Sequence, residues 1–324
     1  MQFLKAAVIG VGKMGRHHAR IYSVISGVSL CAVSDADEGT LSASSQICKK
    51  YIDYKELLSK EKPDLVSVCV PTNAHAQVTI DCLRAGAHVL VEKPISSTVP
   101  EAKKMLLEAR RAGKHLMVGH VERFNPAVIE LKKIIDSGEI GTPLSVISRR
   151  VGIYPPRIKD ASVVVDLAVH DIDLMNYFFG ALPEKVFCNG GKSILKDRAD
   201  YAEILLKYRH STGIVQVNWI TPIKVRALVV TGSKGYAEVD YISQELKVYK
   251  PSSGLPSEYA SFEEFVTAFS KVIERIVKIP REEPLMLELS HFVDSVRTGK
   301  TPLVSGEKGL AALRIAKLAE RQIA

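Results

Sequence analysis

Near its amino end the chain reads Ala6-Ala7-Val8-Ile9-Gly10-Val11-Gly12-Lys13-Met14-Gly15. The first four residues are an apolar run that predicts a buried strand, and the last six follow the pattern Gly-x-Gly-x-x-Gly. The stretch Arg16–Ser26 that comes next predicts a helix. Glycines at these spacings permit a tight turn and let backbone N–H groups approach a pyrophosphate at the positive end of a helix. This segment therefore predicts a dinucleotide-binding loop between a strand and a helix.

An acidic residue follows this loop at the distance that ribose recognition requires. Asp35 lies twenty residues past Gly15, at the end of the second predicted strand, Ser29–Ser34. A carboxylate at that place accepts hydrogen bonds from both ribose hydroxyls of adenosine and repels a 2′-phosphate. No Arg or Lys immediately follows Asp35. The sequence therefore predicts NAD, and not NADP, as the cofactor.

The pattern of apolar runs predicts two domains. The first 120 residues alternate apolar runs with helical stretches that end at glycine, such as Ala74–Ala85 before Gly86. These runs lack in/out alternation, which is typical of a parallel, doubly wound sheet covered on both faces. After Gly141 the strands become longer and amphipathic, and Tyr201–Gln216 predicts a hairpin. We therefore predict an α/β chain, with a dinucleotide-binding domain at residues 1–122 and a substrate-binding and oligomerisation α+β domain at residues 123–324, built on an open, mostly antiparallel sheet.

Two further expectations concern this second domain. Its helices are predicted at Asp166–Phe179, Phe262–Ile279, Pro284–Arg297 and Glu307–Ile323. One face of its sheet, carrying Val215, Val217 and Trp219 or the residues that alternate with them, is expected to self-associate.

Composition narrows the class of protein. The chain has 324 residues, of which 46% are hydrophobic and 25% charged, as in a globular protein. Its net charge of +8 suits an anionic ligand, and no Lys/Arg run with interleaved aromatics supports nucleic-acid binding. The five cysteines include no Cys-x-x-Cys pair, which argues against a disulfide framework and a zinc motif. Without a signal peptide or an apolar run of about 18 residues, a cytoplasmic enzyme with no membrane segment is expected.

A lysine follows the predicted strand Ala87–Val91, in the tripeptide Glu92-Lys93-Pro94. Ligands bind outside the carboxyl ends of such strands, so Lys93 is expected to meet both nicotinamide and substrate. The Lys93–Pro94 bond is a candidate for the cis form, which costs only about 0.5–1 kcal/mol before proline. The alternative is a solvated lysine in an ordinary turn.

Asp166 and His170 interrupt the apolar stretch Val163–Met175. Because they are four residues apart, they share one face of a helix, and a polar pair there needs partners or a function. Oxidation of a secondary alcohol needs a proton acceptor, and His, with an ordinary pKa of about 6.5, serves better than Lys at about 10.4. We therefore assign His170 as general base, Lys93 as the group that polarises the alcohol oxygen and Asp166 as an orienting residue. A lone helical His is more often structural, and a metal site with Asp173 lacks further ligands at suitable spacing, so no metal is predicted.

Together these motifs resemble the Gfo/Idh/MocA family of sugar dehydrogenases. The matching segments, in the family's order, are Gly10–Gly15, Asp35, Pro71–His75, Glu92–Pro94, Gly138–Gly141 and Asp166–His170. The resemblance implies a Rossmann domain, an open-faced sheet domain that mediates oligomers, and action of Lys93, Asp166 and His170 on a sugar hydroxyl. The cofactor contacts that it implies are Gly10, Gly12, Lys13, Met14, Gly15, Asp35, Pro71, Thr72, His75, Glu92 and Lys93. Where many members carry glycines, this chain has Val163-Val164-Val165, so the floor of the pocket is expected to differ.

Two segments, Gly119–Pro126 and Arg149–Arg157, narrow the resemblance to the UDP-N-acetylglucosamine 3-dehydrogenases. Those enzymes oxidise the sugar C3 hydroxyl to a ketone. The similarity implies a nucleotide-sugar substrate, and the amphipathic sheet face of the second domain predicts a homodimer or homotetramer. The implied substrate contacts are Lys93, Arg123, Arg149, Tyr154, Arg157 and His170.

The basic stretch Arg149–Lys159 can neutralise the charge of a pyrophosphate, since one Arg guanidinium binds two oxygens at once. Strand alternation points Arg149 and Arg150 to opposite faces, so only one of them is expected to serve the ligand. The alternative is a solvated basic edge that discourages strand pairing.

Two other functions stay open, a dehydrogenase of a free polyol such as an inositol and a non-catalytic NAD-sensing protein. The basic stretch favours the nucleotide sugar over the polyol. Intact Lys93, Asp166 and His170 argue against the sensor.

Overall fold

The structure, a computed structural model, describes residues 3–44, 48–154, 161–252, 261–268 and 272–323. The chain divides into two compact units. The first unit comprises Met1–Phe124 and Glu283–Lys317, and the second comprises Asn125–Glu282 and Leu318–Ala324. The sequence predicts a boundary between residues 122 and 123, two residues from the break after Phe124, but it assigns the C-terminal helices to the second domain. In the structure most of that segment belongs to the first unit.

The first unit is built on a parallel, six-stranded sheet. Its strands are β1 (Leu4–Ile9), β2 (Val28–Ser34), β3 (Lys49–Tyr51), β4 (Leu65–Val68), β5 (His88–Glu92) and β6 (Leu116–Gly119). Their order in the sheet is β3-β2-β1-β4-β5-β6, and every pair is parallel. The order reverses beside β1, so the carboxyl ends of β1 and β4 flank the crevice where doubly wound sheets bind ligands. The predicted parallel, doubly wound sheet is confirmed.

Helices follow the strands of this sheet. They are α1 (Lys13–Tyr22), α2 (Glu38–Ser42), α3 (Tyr54–Glu61), α4 (His75–Arg84) and α5 (Val99–Ala112). The central strands are buried almost throughout, as the unbroken apolar runs predict. Helix α5 begins with a capping box between Thr98 and Glu101 and ends at Gly113, which has a φ of 63°.

The second unit contains a mixed, mostly antiparallel sheet of eight strands, as predicted. In chain order its elements are α6 (Pro126–Asp136), β7 (Pro143–Val151), α7 (Val169–Phe179), β8 (Lys185–Gly191), β9 (Tyr201–Lys207), β10 (Thr212–Asn218), β11 (Val225–Gly232), β12 (Tyr236–Asp240), β13 (Glu245–Pro251), α8 (Phe262–Ala268) and β14 (Val272–Ile276). The strand order is β14-β13-β12-β11-β7-β10-β9-β8, with only β7 and β10 parallel.

Two predicted helices of this unit differ from the structure. The prediction of one helix over Phe262–Ile279 is wrong, because Val272–Ile276 pairs with β13 as an edge strand. Its β-branched residues Val272, Ile273 and Ile276 favour a strand once a sheet edge is available. The first three residues of the predicted helix Asp166–Phe179 lie in a π-helical turn, Val164–Ala168, and α7 begins at Val169.

Among the described residues, helices α6 and α7 cover one face of the second sheet and leave the other face uncovered. Helix α7 packs against β7 and β10, and α6 packs against β12 and β13. Val215, Val217 and Trp219 are buried on the covered face. The uncovered face therefore carries their alternates, among them Ile214 and Gln216.

The last two helices, α9 (Pro284–Thr298) and α10 (Gly306–Glu320), explain the domain assignment. Helix α9 packs against α1. The N–H of Val118, on edge strand β6, donates to the carbonyl of Val304, and Met117 bridges to Ser305. This tail covers the open edge of the first sheet, which the helical periodicity of the segment could not reveal. Among the described residues, each helix is too short or too polar to cross a bilayer.

Candidate active site

The loop between β1 and α1 is tightly packed on two sides and open at its centre. Gly10 has a φ of +86°, and a Cβ there would lie 2.7 Å from the carbonyl carbon of Cys69. A Cβ on Gly15 would overlap the carbonyl oxygen of Gly10. At Gly12, in contrast, no atom lies within 4 Å of the position of a Cβ. The space that a ligand needs is therefore beside Gly12.

Helix α1 offers its amino end to that space. Gly12 is its N-cap and provides no side-chain hydrogen bond. The N–H groups of a first helical turn carry the positive end of the helix dipole and attract phosphate oxygens. Lys13 and Met14 are exposed in this turn. The loop and helix thus fit the pyrophosphate of a dinucleotide, as the sequence predicts.

Asp35 stands next to this loop at the end of β2. Its Oδ2 atom accepts a hydrogen bond from the backbone N–H of Val11 at 2.8 Å, and its Oδ1 atom accepts one from Asp37 at 3.0 Å. These bonds orient the carboxylate beside the phosphate loop. The position fits the ribose contact predicted for NAD.

The segment after β4 carries three of the predicted cofactor contacts. Pro71 is exposed and Thr72 is half-buried in a 3₁₀ turn, Thr72–Ala74, which leaves both within reach of a ligand. His75 is buried, with Nδ1 2.8 Å from the Pro94 carbonyl oxygen and Nε2 2.9 Å from that of Val70. His75 therefore joins the loops that follow β4 and β5, and its direct contact with the cofactor stays a prediction.

Lys93 follows β5 at the carboxyl edge of the sheet and is half-exposed, and the Lys93–Pro94 peptide bond is cis. The preceding residue, Glu92, is turned into the protein. Its Oε1 atom lies 3.0 Å from His18 Nε2, and its Oε2 atom accepts the backbone N–H of Lys93 at 3.2 Å. These bonds hold the Glu92 carboxylate beside the backbone of Lys93, and the predicted contact of Glu92 with the cofactor stays a prediction.

The charge of Glu92 is stabilised by its neighbours. Burial raises its pKa, but the hydrogen bond and the electrostatic interaction with His18, followed by the electrostatic interactions with Lys93 and His75, outweigh burial, so the pKa lies below its ordinary value. Glu92 therefore stays ionised at neutral pH although only 12% of its side chain is exposed.

A second carboxyl, that of Glu288 on α9, is fully buried near Glu92. Neither of its oxygens has a hydrogen-bond partner among the described residues. Burial, and next the charge of Glu92, raise its pKa well above the ordinary value, so it holds its proton. Sequence reasoning missed Glu288 and His18. The available signals were a charged residue inside the apolar run Leu285–Leu289 and a histidine three residues past Gly15.

In the second unit, Asp166 and His170 stand out by their exposure. Every residue from Ser162 to Met175 is described, and all are buried except these two, which are half-exposed. They sit where the π-helical turn passes into α7, and π turns occur frequently at functional sites. The structure thus presents this pair together on an otherwise apolar segment.

The two neighbouring arginines of β7 have separate environments. Arg150 is buried on the helix-covered face, where its Nε atom lies 2.7 Å and its second nitrogen 3.1 Å from the two carboxylate oxygens of Asp171. Arg149 lies on the uncovered face and donates to Gln216 at 3.1 Å. Because His170 belongs to the helix on the covered face, the structure does not bring Arg149 to it, contrary to the predicted substrate contact.

The remaining predicted substrate contacts vary in position. Arg123 is only 3% exposed, in a 3₁₀ turn Val121–Phe124 of the first unit, so its charge is enclosed. Tyr154 is half-buried, and its ring meets that of Trp219 edge-on with centroids 5.3 Å apart. Arg157 and Lys159 lie outside the described residues. Within the described ranges no group of three His, Cys, Asp or Glu side chains could hold a metal ion.

Comparisons with known proteins agree with this architecture. Residues 4–120 match the Gfo/Idh/MocA oxidoreductase family, NAD-binding Rossmann fold, and residues 128–238 match the Gfo/Idh/MocA C-terminal domain. The chain is 29% identical over 339 residues to the myo-inositol 2-dehydrogenase of Thermotoga maritima, covering 99% of this chain and 96% of that protein.

A second relative is the UDP-N-acetylglucosamine 3-dehydrogenase of Acidithiobacillus ferrooxidans. The identity is 26% over 317 residues, covering 98% of this chain and 96% of that protein. A solved structure of this enzyme superimposes with a TM-score of 0.87 at 25% identity, covering 100% of this chain and 98% of the other.

Proposed function

Because the chain belongs to the Gfo/Idh/MocA oxidoreductases and carries their NAD-binding Rossmann domain, we propose that it oxidises a secondary hydroxyl of a sugar to a ketone. The substrate that we propose is UDP-N-acetylglucosamine or a related nucleotide sugar, oxidised at C3. The observation that carries the proposal is the half-exposed pair Asp166 and His170 in a segment that is otherwise buried.

Separate residues of the chain accept the proton, polarise the oxygen and orient the substrate. NAD, when bound, would supply the acceptor for the hydride of the carbinol carbon. His170 takes the hydroxyl proton as general base, and Lys93 polarises the oxygen as the C–O bond becomes a carbonyl. Asp166 orients the substrate or His170. Gly12, the amino end of α1 and Asp35 would hold the dinucleotide.

The nucleotide-sugar assignment is supported by the likeness to the A. ferrooxidans enzyme over the full chain and by the basic stretch Arg149–Lys159. Since Arg149 faces away from α7 and Arg150 is bound by Asp171, Arg157 is the arginine that we retain as a pyrophosphate ligand. The second candidate is oxidation of a free inositol, which the T. maritima relative favours.

NADH formation by the purified chain, with UDP-N-acetylglucosamine or myo-inositol as substrate, tests the proposal. We expect turnover of the nucleotide sugar and little of the polyol; the reverse preference would replace the first candidate by the second. His170→Ala and Lys93→Met should each lower kcat by about 10²–10⁴-fold while NAD affinity stays nearly intact. His210→Ala, at an exposed histidine of the same unit, is the matched control. A His170→Ala enzyme with wild-type turnover would remove His170 from the mechanism.

We also propose that the uncovered sheet face joins copies of the chain into a homodimer or homotetramer. Across five neighbouring strands this face carries an apolar row in register: Phe187, Leu205, Ile214, Ile147 and Val229. Phe187 is 52% exposed and Ile147 is 38% exposed. A contiguous apolar surface of this kind is typical of an association site. The cytoplasmic location stays a prediction.

A further inference from the structure

We propose that His18 is a positioning residue for the reaction: it fixes the Glu92 carboxylate and, through it, the backbone of Lys93. The inference rests on the role proposed for Lys93. Its evidence is a chain of buried hydrogen bonds that runs from helix α1 to the end of strand β5.

This series of hydrogen bonds links four side chains, and the donor of each bond can be assigned. Tyr22 Oη lies 2.9 Å from Ser67 Oγ, Ser67 Oγ lies 3.0 Å from His18 Nδ1, and His18 Nε2 lies 3.0 Å from Glu92 Oε1. An ionised carboxylate only accepts, so His18 donates from Nε2. With a neutral His18 ring, Nδ1 accepts from Ser67, which in turn accepts from Tyr22. In this arrangement every hydrogen of the chain has an acceptor, and the ring is the Nε2–H tautomer.

The Glu92 end of this series of hydrogen bonds is also held in place. Glu92 Oε2 accepts the N–H of Lys93, so the carboxylate bridges the imidazole and the lysine backbone. On the other side is Gly119, where a Cβ would lie 3.2 Å from both the carboxyl carbon and Oε2 of Glu92. The Glu92 carboxylate therefore has little freedom to move once His18 is in place. The backbone of Lys93, which donates to this carboxylate, is fixed with it.

Helix α1 contributes both to the cofactor loop and to the hydrogen bond with Glu92. Its amino end, at Gly12, faces the space for the pyrophosphate, and His18 lies on the buried side of the same helix. A displacement of α1 would move His18, and with it the carboxylate beside Lys93. His18 thus ties the cofactor loop to the lysine through one rigid element.

The charges around Glu92 predict the effect of removing His18. The charged and titratable groups that face Glu92 are His18 from α1, Lys93 from its own strand, His75 from α4, Glu288 from α9 and Cys69 from the end of β4. His18 provides the hydrogen bond to the carboxylate, whereas burial opposes ionisation. Without His18, Glu92 should take up a proton at a higher pH and release the order that it imposes on Lys93.

The test is the pH profile of kcat in matched variants. His18→Phe keeps the ring shape and removes both nitrogens, and we expect kcat to fall by about 10–100-fold, as for lost supporting groups. The acid limb of its profile should move to higher pH. His18→Gln retains a donor and should recover part of both changes. The NAD dissociation constant, from NADH fluorescence, should stay within about twofold of wild type in each.

Three further measurements make the outcome decisive. Ser67→Ala removes the hydroxyl beside His18 Nδ1 with little change in volume, so the tautomer of His18 is no longer fixed. It should shift the acid limb in the same direction as His18→Phe, but by less. His17→Gln alters the exposed neighbouring histidine and should leave the profile unchanged. Nitrogen-15 NMR of labelled histidines should show His18 as the Nε2–H tautomer.

Wild-type acid limbs in both His18→Phe and Ser67→Ala would overturn the positioning role. If His18→Phe does not fold, an unchanged profile in Ser67→Ala is sufficient to overturn it. A Lys93→Met enzyme that retains turnover would instead contradict the proposed function, so the two failures are distinguishable.

Discussion

The Oδ2 atom of Asp35 accepts the backbone N–H of Val11 at 2.8 Å, so the residue expected to select the ribose also supports the phosphate loop. Its Oδ1 atom accepts a second backbone N–H, from Asp37. A carboxylate has about four lone-pair sites, which leaves two acceptor sites for the two ribose hydroxyls. One side chain can therefore order the loop and recognise the sugar.

This double role leads to a prediction for cofactor choice. Wild-type protein should bind NADH much more tightly than NADPH, because the Asp35 carboxylate repels a 2′-phosphate. Asp35→Ala should reduce the difference in affinity between NADH and NADPH. It should also weaken NADH binding, since the hydrogen bond from the Val11 N–H is lost. Asp35→Asn keeps an acceptor for Val11 without the charge, so it should narrow the gap with a smaller loss for NADH. Fluorescence titration measures all three; equal wild-type affinities for both cofactors would contradict the assignment.

Glu288 should make stability depend on pH. In the native state its raised pKa lets it keep a proton that the unfolded chain has lost, so the free energy of unfolding should fall as pH rises above the ordinary value. Glu288→Gln removes this dependence. Relative to wild type, the variant should gain about 1 kcal/mol per pH unit between the ordinary pKa and the raised native pKa. Urea unfolding at several pH values checks this.

The control for Glu288 is an exposed carboxyl of the same unit. Glu38→Gln on α2 should follow the wild-type pH dependence of stability. A Glu288→Gln protein that parallels wild type at every pH would show that the buried carboxyl is not protonated.

Arg150 and Arg149 form a matched pair for stability. Arg150→Met removes both hydrogen bonds that Arg150 donates to the buried carboxylate of Asp171, so we expect a loss of about 3–5 kcal/mol in the free energy of unfolding. Arg149→Met, on the uncovered face, should change it by less than about 0.5 kcal/mol. Urea unfolding compares the two, and similar losses would contradict the assigned faces.

The apolar row on the uncovered face should control assembly. Light scattering at micromolar concentration should give the mass of a dimer or tetramer, and Ile147→Asp should lower it by burying a charge at the contact. Leu107→Asp, at an exposed leucine of α5, is the control and should leave the mass unchanged. A monomeric wild-type protein would refute the proposed assembly.

Arg157 is the arginine retained for substrate recognition. Arg157→Ala should raise the KM for a UDP-sugar much more than for the matching free sugar, because only the former carries a pyrophosphate. Turnover at saturation should change less, since the contact is remote from the reacting carbon. If both substrates suffer alike, the polyol assignment should replace the nucleotide-sugar assignment.

Local features of this protein could be predicted because their physical causes are local. The Gly10–Gly15 loop depends on the backbone freedom and small size of glycine between a strand and a helix, all within ten residues of chain. The parallel character of the first sheet follows from unbroken apolar runs, and the shared face of Asp166 and His170 follows from helical spacing.

Periodicity alone misled where a neighbouring element decided the outcome. The apolar pattern of Val272–Ile276 is compatible with a helix, but the free edge of β13 recruits it as a strand. The amphipathic helix α9 could cover either sheet, and only packing against α1 assigns it to the first unit.

By itself, then, the sequence determined the dinucleotide loop, its acidic partner and the fold class, since these depend on residues close together in the chain. Tertiary structure alone decided that Glu92 faces His18, 74 residues away, that His75 braces two loops and that Arg149 and Arg150 differ in role. The reason is that a side chain's partner across a sheet or between helices is set by packing and register. Neither leaves a trace in the spacing of residues along one strand or helix.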